Sequence, residues 1–456
     1  MNKRTYLIFV CLVSTLGGFL FGYDTAVISG TLTFVRNQFA LSALMEGWFV
    51  GSALLGCVLG VSVAGILSDK YGRKMILFLS ALLFLISAVG CMIPANLIQL
   101  ISFRLIGGLG VGIASMLSPL YIAEISLAEI RGRMIALYQF AITLGILISY
   151  FANAKILLLG QNASFTENSF WKWILTTEVW RGMFGAEALP AIAFLILIFF
   201  IPESPRWLMT RNREQQALLV LERVVSSDKA QKEIDEIKKV LKQETGTWRQ
   251  LFSPGIRLAL FIGVSLAVLS QFSGINAIIY YGPKIFEQGG FTTSSALNSQ
   301  VIIGIVNVVF TLIAIWKIDS LGRRRLLLIG CFGMLIAHIS IGIIFQSGQM
   351  DGIGLLILIP TFIAFFAFSY GPVVWTLLAE IYPTSVRGRA MSIATLSLWA
   401  ANYIIGQMVP WSIEVLKPQG TFWLFAVMII PAILVVWKLV PETKGKTLEE
   451  IEQYWL

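Results

Sequence analysis

Three ionisable residues stand where charge is expensive. Asp24 lies in an apolar run from Tyr6 to Val35, and Arg104 and Glu187 lie inside equally apolar stretches over 97–123 and 182–201. In mid-bilayer a charge costs about 2.5–3.5 kcal/mol, so each must face a partner or water. If the first run crosses outward and the fourth inward, Asp24 and Arg104 fall in the outer part of the same group of helices. Two chemistries fit the pair. A permanent salt bridge would fasten one helix to the other. A proton switch would keep Asp24 ionised while Arg104 is near and let the buried carboxylate take a proton once they part. Glu187 reads either as an assistant to Asp24 or as a partner in a buried hydrogen bond.

A second set of residues is polar or aromatic without formal charge. Gln271, Asn276 and Tyr280 are spaced by five and four, roughly along one stripe of a helix, with Gly274 between the first two to loosen the backbone. Gln139, Asn307, Trp375 and Trp399 lie in other apolar runs. Taken singly, each polar residue reads as glue between helices.

The elements that must carry these groups follow from composition. The 456-residue chain is 57% hydrophobic and 13% charged, with a mean hydropathy of +0.80, far above soluble domains. Runs of about 20 apolar residues span a bilayer. Twelve candidates begin near residues 6, 45, 74, 97, 132, 178, 256, 297, 325, 353, 388 and 420. The first is too long, and too poor in small residues at a cleavage point, for a signal peptide. Basic connections, DKYGRK (69–74), RGR (131–133), DSLGRRR (319–325) and RGR (387–389), alternate with nearly uncharged ones. The positive-inside rule therefore puts both termini and the 202–255 segment in the cytoplasm. Topology explains the net charge of +9 without a nucleic-acid partner.

The chain repeats itself. GILSDKYGRKM (65–75) matches WKIDSLGRRRL (316–326), AEISLAEIRGR (123–133) matches AEIYPTSVRGR (379–389), and Pro202-Glu203-Ser204 matches Pro441-Glu442-Thr443. These matches predict two six-helix halves, 1–201 and 256–440, a cytoplasmic helical linker over 202–255, and a cytoplasmic tail over 441–456. Within the linker, apolar residues three and four apart predict amphipathic helices. No phosphate loop is present, which argues against transport driven by nucleotide hydrolysis.

Two six-helix halves in parallel repeat are the layout of major facilitator transporters, and the residues resemble a narrower group. FGYD, DKYGRK, RLIGGLGVG, YIAEI…RGR, PESPRWL, QFSGINAIIYY, DSLGRR, AEIYPTSVRGR and PETKGKTLEE run in order over nearly the whole chain. Together they are similar to the sugar porter family, most of all to bacterial D-xylose and hexose proton symporters. That resemblance implies an all-α fold of twelve transmembrane helices in two bundles. It also implies a proton-coupled monosaccharide symporter in the plasma membrane that works by alternating access as a monomer, with no cofactor. Alternatives are a facilitative sugar uniporter, against which Asp24 argues, and a non-transporting sugar receptor, which would want a signalling extension beyond the short tail.

The resemblance also assigns roles. The carboxylate matching Asp24 is the proton site, with Arg104 and Glu187 as its coupling partners. A sugar offers hydroxyls and apolar C–H faces, so its site wants amides and aromatic plates. Gln139, Gln271, Asn276, Tyr280, Asn307, Trp375 and Trp399 match that pocket, and Phe21, on nearly the same helix face as Asp24, is placed to tie sugar to proton. Two departures are Ser270-Gln271, where the xylose symporters carry two glutamines, and Leu398-Trp399, where they carry Gln-Trp. Asp69, Arg73, Glu124, Arg131, Asp319, Arg323, Glu380 and Arg387 recur at equivalent places in the two halves. They predict a cytoplasmic gate in which, together with the 202–250 helices, opposite charges from the two bundles meet when the pocket opens outward.

Other features read more plainly. His338 is a packed or hydrogen-bonded residue of the ninth span, and Cys11, Cys57, Cys91 and Cys331 have no metal or redox spacing. Gly107-Gly108…Gly110…Gly112 mimics a dinucleotide loop but lies in a span with no preceding strand, so close helix packing explains it. Asn162-Ala163-Ser164 is a sequon in an outward loop. No triad, metal cluster or cofactor loop supports an enzyme.

Overall fold

The computed structural model describes residues 2–126, 128–162, 169–242, 248–348, 352–383, 386–446 and 448–455; Ala163 and Ser164 of the sequon lie outside them. The apolar runs form helices because a bilayer offers the backbone no other partner. The first half comprises α1 (Lys3–Phe39), α2 (Ala43–Tyr71), α3 (Arg73–Met92), α4 (Leu97–Ile125), α5 (Ala128–Asn162) and α6 (Val179–Phe200). Three helices follow, α7 (Pro205–Thr210), α8 (Glu214–Val224) and α9 (Ser227–Lys242). In the second half, α10 (Pro254–Phe272) and α11 (Ile275–Gln288) form one broken span. Next come α12 (Thr293–Leu321), α13 (Arg323–Ser347), α14 (Gly352–Phe368) with α15 (Tyr370–Glu380), and α16 (Arg387–Lys438).

Among the described residues, eleven helices are long and apolar enough to cross a membrane. The last has 52 residues, roughly 78 Å at 1.5 Å per residue, more than twice a bilayer core of about 30 Å. It breaks at Lys417, where φ is 59°, just before Pro418. Its two arms are two crossings, which makes twelve, as expected from the apolar runs.

Within the first half α4 packs against α1, α2 and α3, and α1 against α5; in the second, α16 packs against α10 and α13, and α14 against α12 and α13. Close approach depends on the glycine run of α4. A Cβ on Gly108 would fall 1.9 Å from the Ala53 carbonyl oxygen of α2. The run is packing, as its setting predicted. The halves meet along α1 with α11, α2 with α16, and α5 with α12. The amphipathic linker helices α8 and α9 bury Ala217, Leu221, Val224, Ala230, Ile234 and Ile237, and α8 rests on α1. They sit at the end of the molecule that carries the basic connections, where Lys3 Nζ donates to the Val225 carbonyl.

Candidate functional site

A cavity lies between the halves. From the first half, α1 contributes Phe21 and Thr25 and α5 contributes Gln139 and Thr143. From the second come Gln271 of α10, Asn276 and Tyr280 of α11, Asn307 and Thr311 of α12, Trp375 of α15, and Trp399 and Asn402 of α16. All eight residues assigned to a pocket from sequence therefore share one cavity. Asn402, Thr25, Thr143 and Thr311 were missed. Spacing held a signal for two of them, because Asn402 stands one helical turn after Trp399 and Thr25 one turn after Phe21. Ser270 and Leu398, the two departures, also line the cavity, so an aliphatic side chain faces it beside Trp399.

Local breaks in the backbone aim these groups. Gly274 takes φ 85°, ending α10 and starting α11, and places Gln271 and Asn276 on either side of the break. Asn276 Nδ2 donates to Gln271 Oε1 at 2.6 Å, and Gln271 Nε2 donates to Ser270 Oγ at 2.8 Å. Tyr280 and Asn402 exchange hydrogen bonds at 3.1–3.2 Å. Span ten also breaks, at Ser369, where φ is −123° rather than left-handed, beside cavity residues Tyr370 and Gly371. The Phe21 and Trp399 rings meet across the halves with centroids 5.3 Å apart. Among the described residues no carboxylate, lysine or arginine lines the cavity. Amides, hydroxyls and aromatic plates suit a neutral ligand rich in hydroxyls.

The charges sit behind this cavity. Asp24 and Arg104 are both buried, and Arg104 Nη1 donates to Asp24 Oδ1 in an ion pair between α1 and α4. The guanidinium also lies over the Phe184 ring, 5.5 Å from its centroid. Glu187 is buried at the joint between two helical pieces of α6. Asp24 Oδ2 and Glu187 Oε1 make no hydrogen bond among the described residues. Asp24 is three residues, nearly one turn, from Phe21 and so from the cavity wall.

At the basic end the two halves carry the same construction twice. Glu203 accepts from the backbone N–H groups of Arg73 and Lys74 at the start of α3, at 2.9 and 3.2 Å. Glu442 accepts from those of Arg323 and Arg324 at the start of α13, at 3.0 and 3.2 Å. A carboxylate suits a helix N-terminus because it meets unpaired donors and the positive end of the dipole. Burial nonetheless pushes the Glu203 carboxyl above its ordinary value, against the backbone donors and Arg73. Arg73 Nε donates to Glu124 at 3.1 Å and Arg73 Nη1 to Asp69 at 2.9 Å; Arg323 Nη2 donates to Glu380 at 2.9 Å. Ser204 and Thr443 hydroxyls complete the two sites on Glu124 and Glu380. The meeting of opposite charges from the two bundles is expected when the pocket opens outward; here Arg73 pairs with Asp69 and Glu124, and Arg323 with Glu380, within one half each. Arg131 Nη2 and Arg387 Nε donate to the carbonyls of Ser126 and Tyr382 at 3.4 and 3.2 Å. The Asp319 side chain lies outside the described residues.

The opposite end joins the halves. Glu46 of α2, fully buried, accepts from Lys284 of α11 at 2.6 and 2.8 Å. Thr33 donates to Glu287 at 3.3 Å, and Gln407 Nε2 to the Leu44 carbonyl at 3.1 Å. Sequence reading missed Glu46 and Lys284, because each stands near a helix end where charge needs no explanation.

The family model described as "Sugar (and other) transporter" matches residues 10–455. The arabinose-proton symporter of Bacillus subtilis is 42% identical over 456 residues, covering 100% of this chain and 96% of that protein. The D-xylose-proton symporter of Escherichia coli K12 is 40% identical, covering 99% and 96%. The solved structure of the major facilitator superfamily proton:xylose symporter XylE bound to 6-bromo-6-deoxy-D-glucose superposes with a TM-score of 0.84 at 38% identity, over 100% of both chains. With its twelve crossings, its duplicated charge sites and a family match running almost from end to end, the chain belongs to the sugar transporter family of the major facilitator superfamily.

Proposed function

We propose that the protein couples uptake of a neutral pentose or hexose to inward movement of a proton by alternating access, acting as a monomer within the plasma membrane. In this reading the basic end and both termini face the cytoplasm, so Glu46–Lys284 closes the outer side and the cavity communicates inward. The observation that carries the proposal is the buried Asp24–Arg104 pair one helical turn behind Phe21. A carboxylate so placed can change partner and protonation when α1 moves with the cavity. In this reading the formed pair belongs to the state after proton release. Outward opening separates α1 from α4 locally, Asp24 takes a proton from outside, and sugar binding at the amide row allows closure again. Glu187, buried nearby, tunes this exchange. On the cytoplasmic side Glu124 and Glu380 exchange their own-half arginines for arginines across the seam when the outer side opens, which latches the inner gate.

The test is uptake of labelled D-xylose, L-arabinose, D-glucose and D-galactose in proteoliposomes with and without a pH gradient. Accumulation of at least one sugar above its external concentration, only when the gradient points inward, is the expected result. Equilibration that ignores the gradient would make the protein a uniporter, and no uptake of any of the four would remove the monosaccharide assignment.

A further inference from the structure

The only histidine of the chain, His338, is fully buried in α13 and does not line the cavity. Its ring packs against Phe362 of α14 with centroids 4.3 Å apart, and against Phe422 and Phe425 of the second arm of α16 at 5.7 Å each. Apolar packing accounts for the ring but not for its nitrogens. Nε2 lies 2.8 Å from the carbonyl oxygen of Ser273, while Nδ1 has no partner among the described residues. A carbonyl only accepts, so Nε2 carries the proton and the imidazole is the neutral Nε2–H tautomer.

Ser273 is the residue at which the seventh span breaks. In an unbroken helix its carbonyl would accept from the N–H of Ala277, four residues on. Here α10 ends at Phe272, Gly274 turns left-handed, and α11 starts at Ile275. A carbonyl released by a break inside a bilayer must be satisfied from elsewhere, and His338 reaches it from a different helix. Phe425 secures the same point. A Cβ on Gly274 would fall 2.9 Å from that ring, so the break, the aromatic ring and the imidazole form one contact. Two residues before Ser273 is Gln271, and two after Gly274 is Asn276, the hydrogen-bonded amide pair of the cavity. The angle between α10 and α11 therefore sets where both amides point.

We propose that His338 is a positioning residue for sugar binding: its Nε2–H holds the Ser273 carbonyl at the break of the seventh span and thereby fixes Gln271 and Asn276 toward the cavity. The inference rests on the reading of that cavity as a monosaccharide site.

Two measurements on the full chain, purified without a histidine tag, test it. With 15N-labelled histidine the protein gives a single imidazole. The expected spectrum shows a protonated Nε2 and a bare Nδ1, and saturation with whichever of the four labelled sugars the wild type transports shifts the Nε2 resonance. A protonated Nδ1 with a bare Nε2, or an Nε2 resonance that sugar leaves unmoved, would overturn the proposal even if every variant failed to fold. The second measurement is sugar affinity. His338→Met keeps bulk without a donor and is expected to weaken binding about three- to tenfold, the range for one lost hydrogen bond. His338→Gln restores an N–H donor and is expected to recover most of that loss, which a packing role would not predict. Wild-type affinity in His338→Met, or equal loss in both variants, contradicts the inference while wild-type uptake leaves the proposed function standing. No uptake by the wild type would sink the function first, and with it the ligand to which the break responds.

Discussion

Gln271 and Asn276 hold one another across a break in the backbone, so each is aimed before any ligand arrives. Replacing either with alanine removes a sugar partner and frees the other amide. Binding of the transported sugar, read by isothermal titration, should weaken by about 1–3 kcal/mol, the cost of leaving hydroxyls unpaired in a dry site. Unchanged affinity in both variants would move the ligand elsewhere. Residue types made this part of the site legible, since amides and tryptophans in apolar runs are few and their helical spacing is readable. Partners were not legible. Spacing after Trp399 pointed Asn402 to the same face but not to its partner Tyr280, and His338 gave no sign that its target was a carbonyl 65 residues away in sequence. Side chain to backbone contacts leave no mark in sequence, because every residue carries a carbonyl.

At the scale of helices, the proposed orientation makes the seam between α2 and α11 the closure of the outer side. Lys284→Met removes the nearer of the two cations that face Glu46 and leaves the buried carboxylate only Arg36, whose Nε lies 3.6 Å from Oε2, at a cost of about 1.5–3 kcal/mol, the worth of a hydrogen bond to a charged group. Opening the seam hydrates Glu46 and relieves that cost. The outward-open population should therefore rise by at least about tenfold, since 1.4 kcal/mol suffices for that. Thr33→Cys, on the same seam, reports the change: labelling by an impermeant thiol reagent should accelerate when Lys284→Met is added. The four native cysteines are all buried, which keeps the background low, and an unchanged labelling rate would remove the latch role from Glu46 and Lys284. Helix existence and order were readable from apolar length alone. Pairing of the basic-end charges was not, because Glu124 and Glu380 have arginines within reach both in their own half and, by symmetry, in the other. Sequence equivalence between the halves cannot choose between these, whereas the fold places Arg73 and Arg323 directly on them.

For the whole molecule, the central claim is that one buried carboxylate converts a proton gradient into sugar accumulation. The seam at one end, the cavity in the middle and the duplicated charge sites at the other allow the halves to rock. On that claim Asp24 gives the motion a direction: Arg104, its partner here, would hold its charge in one arrangement and release it in another. Asp24→Asn keeps the shape of the side chain and cannot cycle a proton. The most direct measurement is sugar-evoked proton entry into proteoliposomes, followed with a luminal pH indicator, beside counterflow of the same labelled sugar. Wild-type protein should acidify the lumen when sugar is added outside, and Asp24→Asn should give no acidification while counterflow continues. Acidification by Asp24→Asn at the wild-type rate would contradict the account and place the proton on another group.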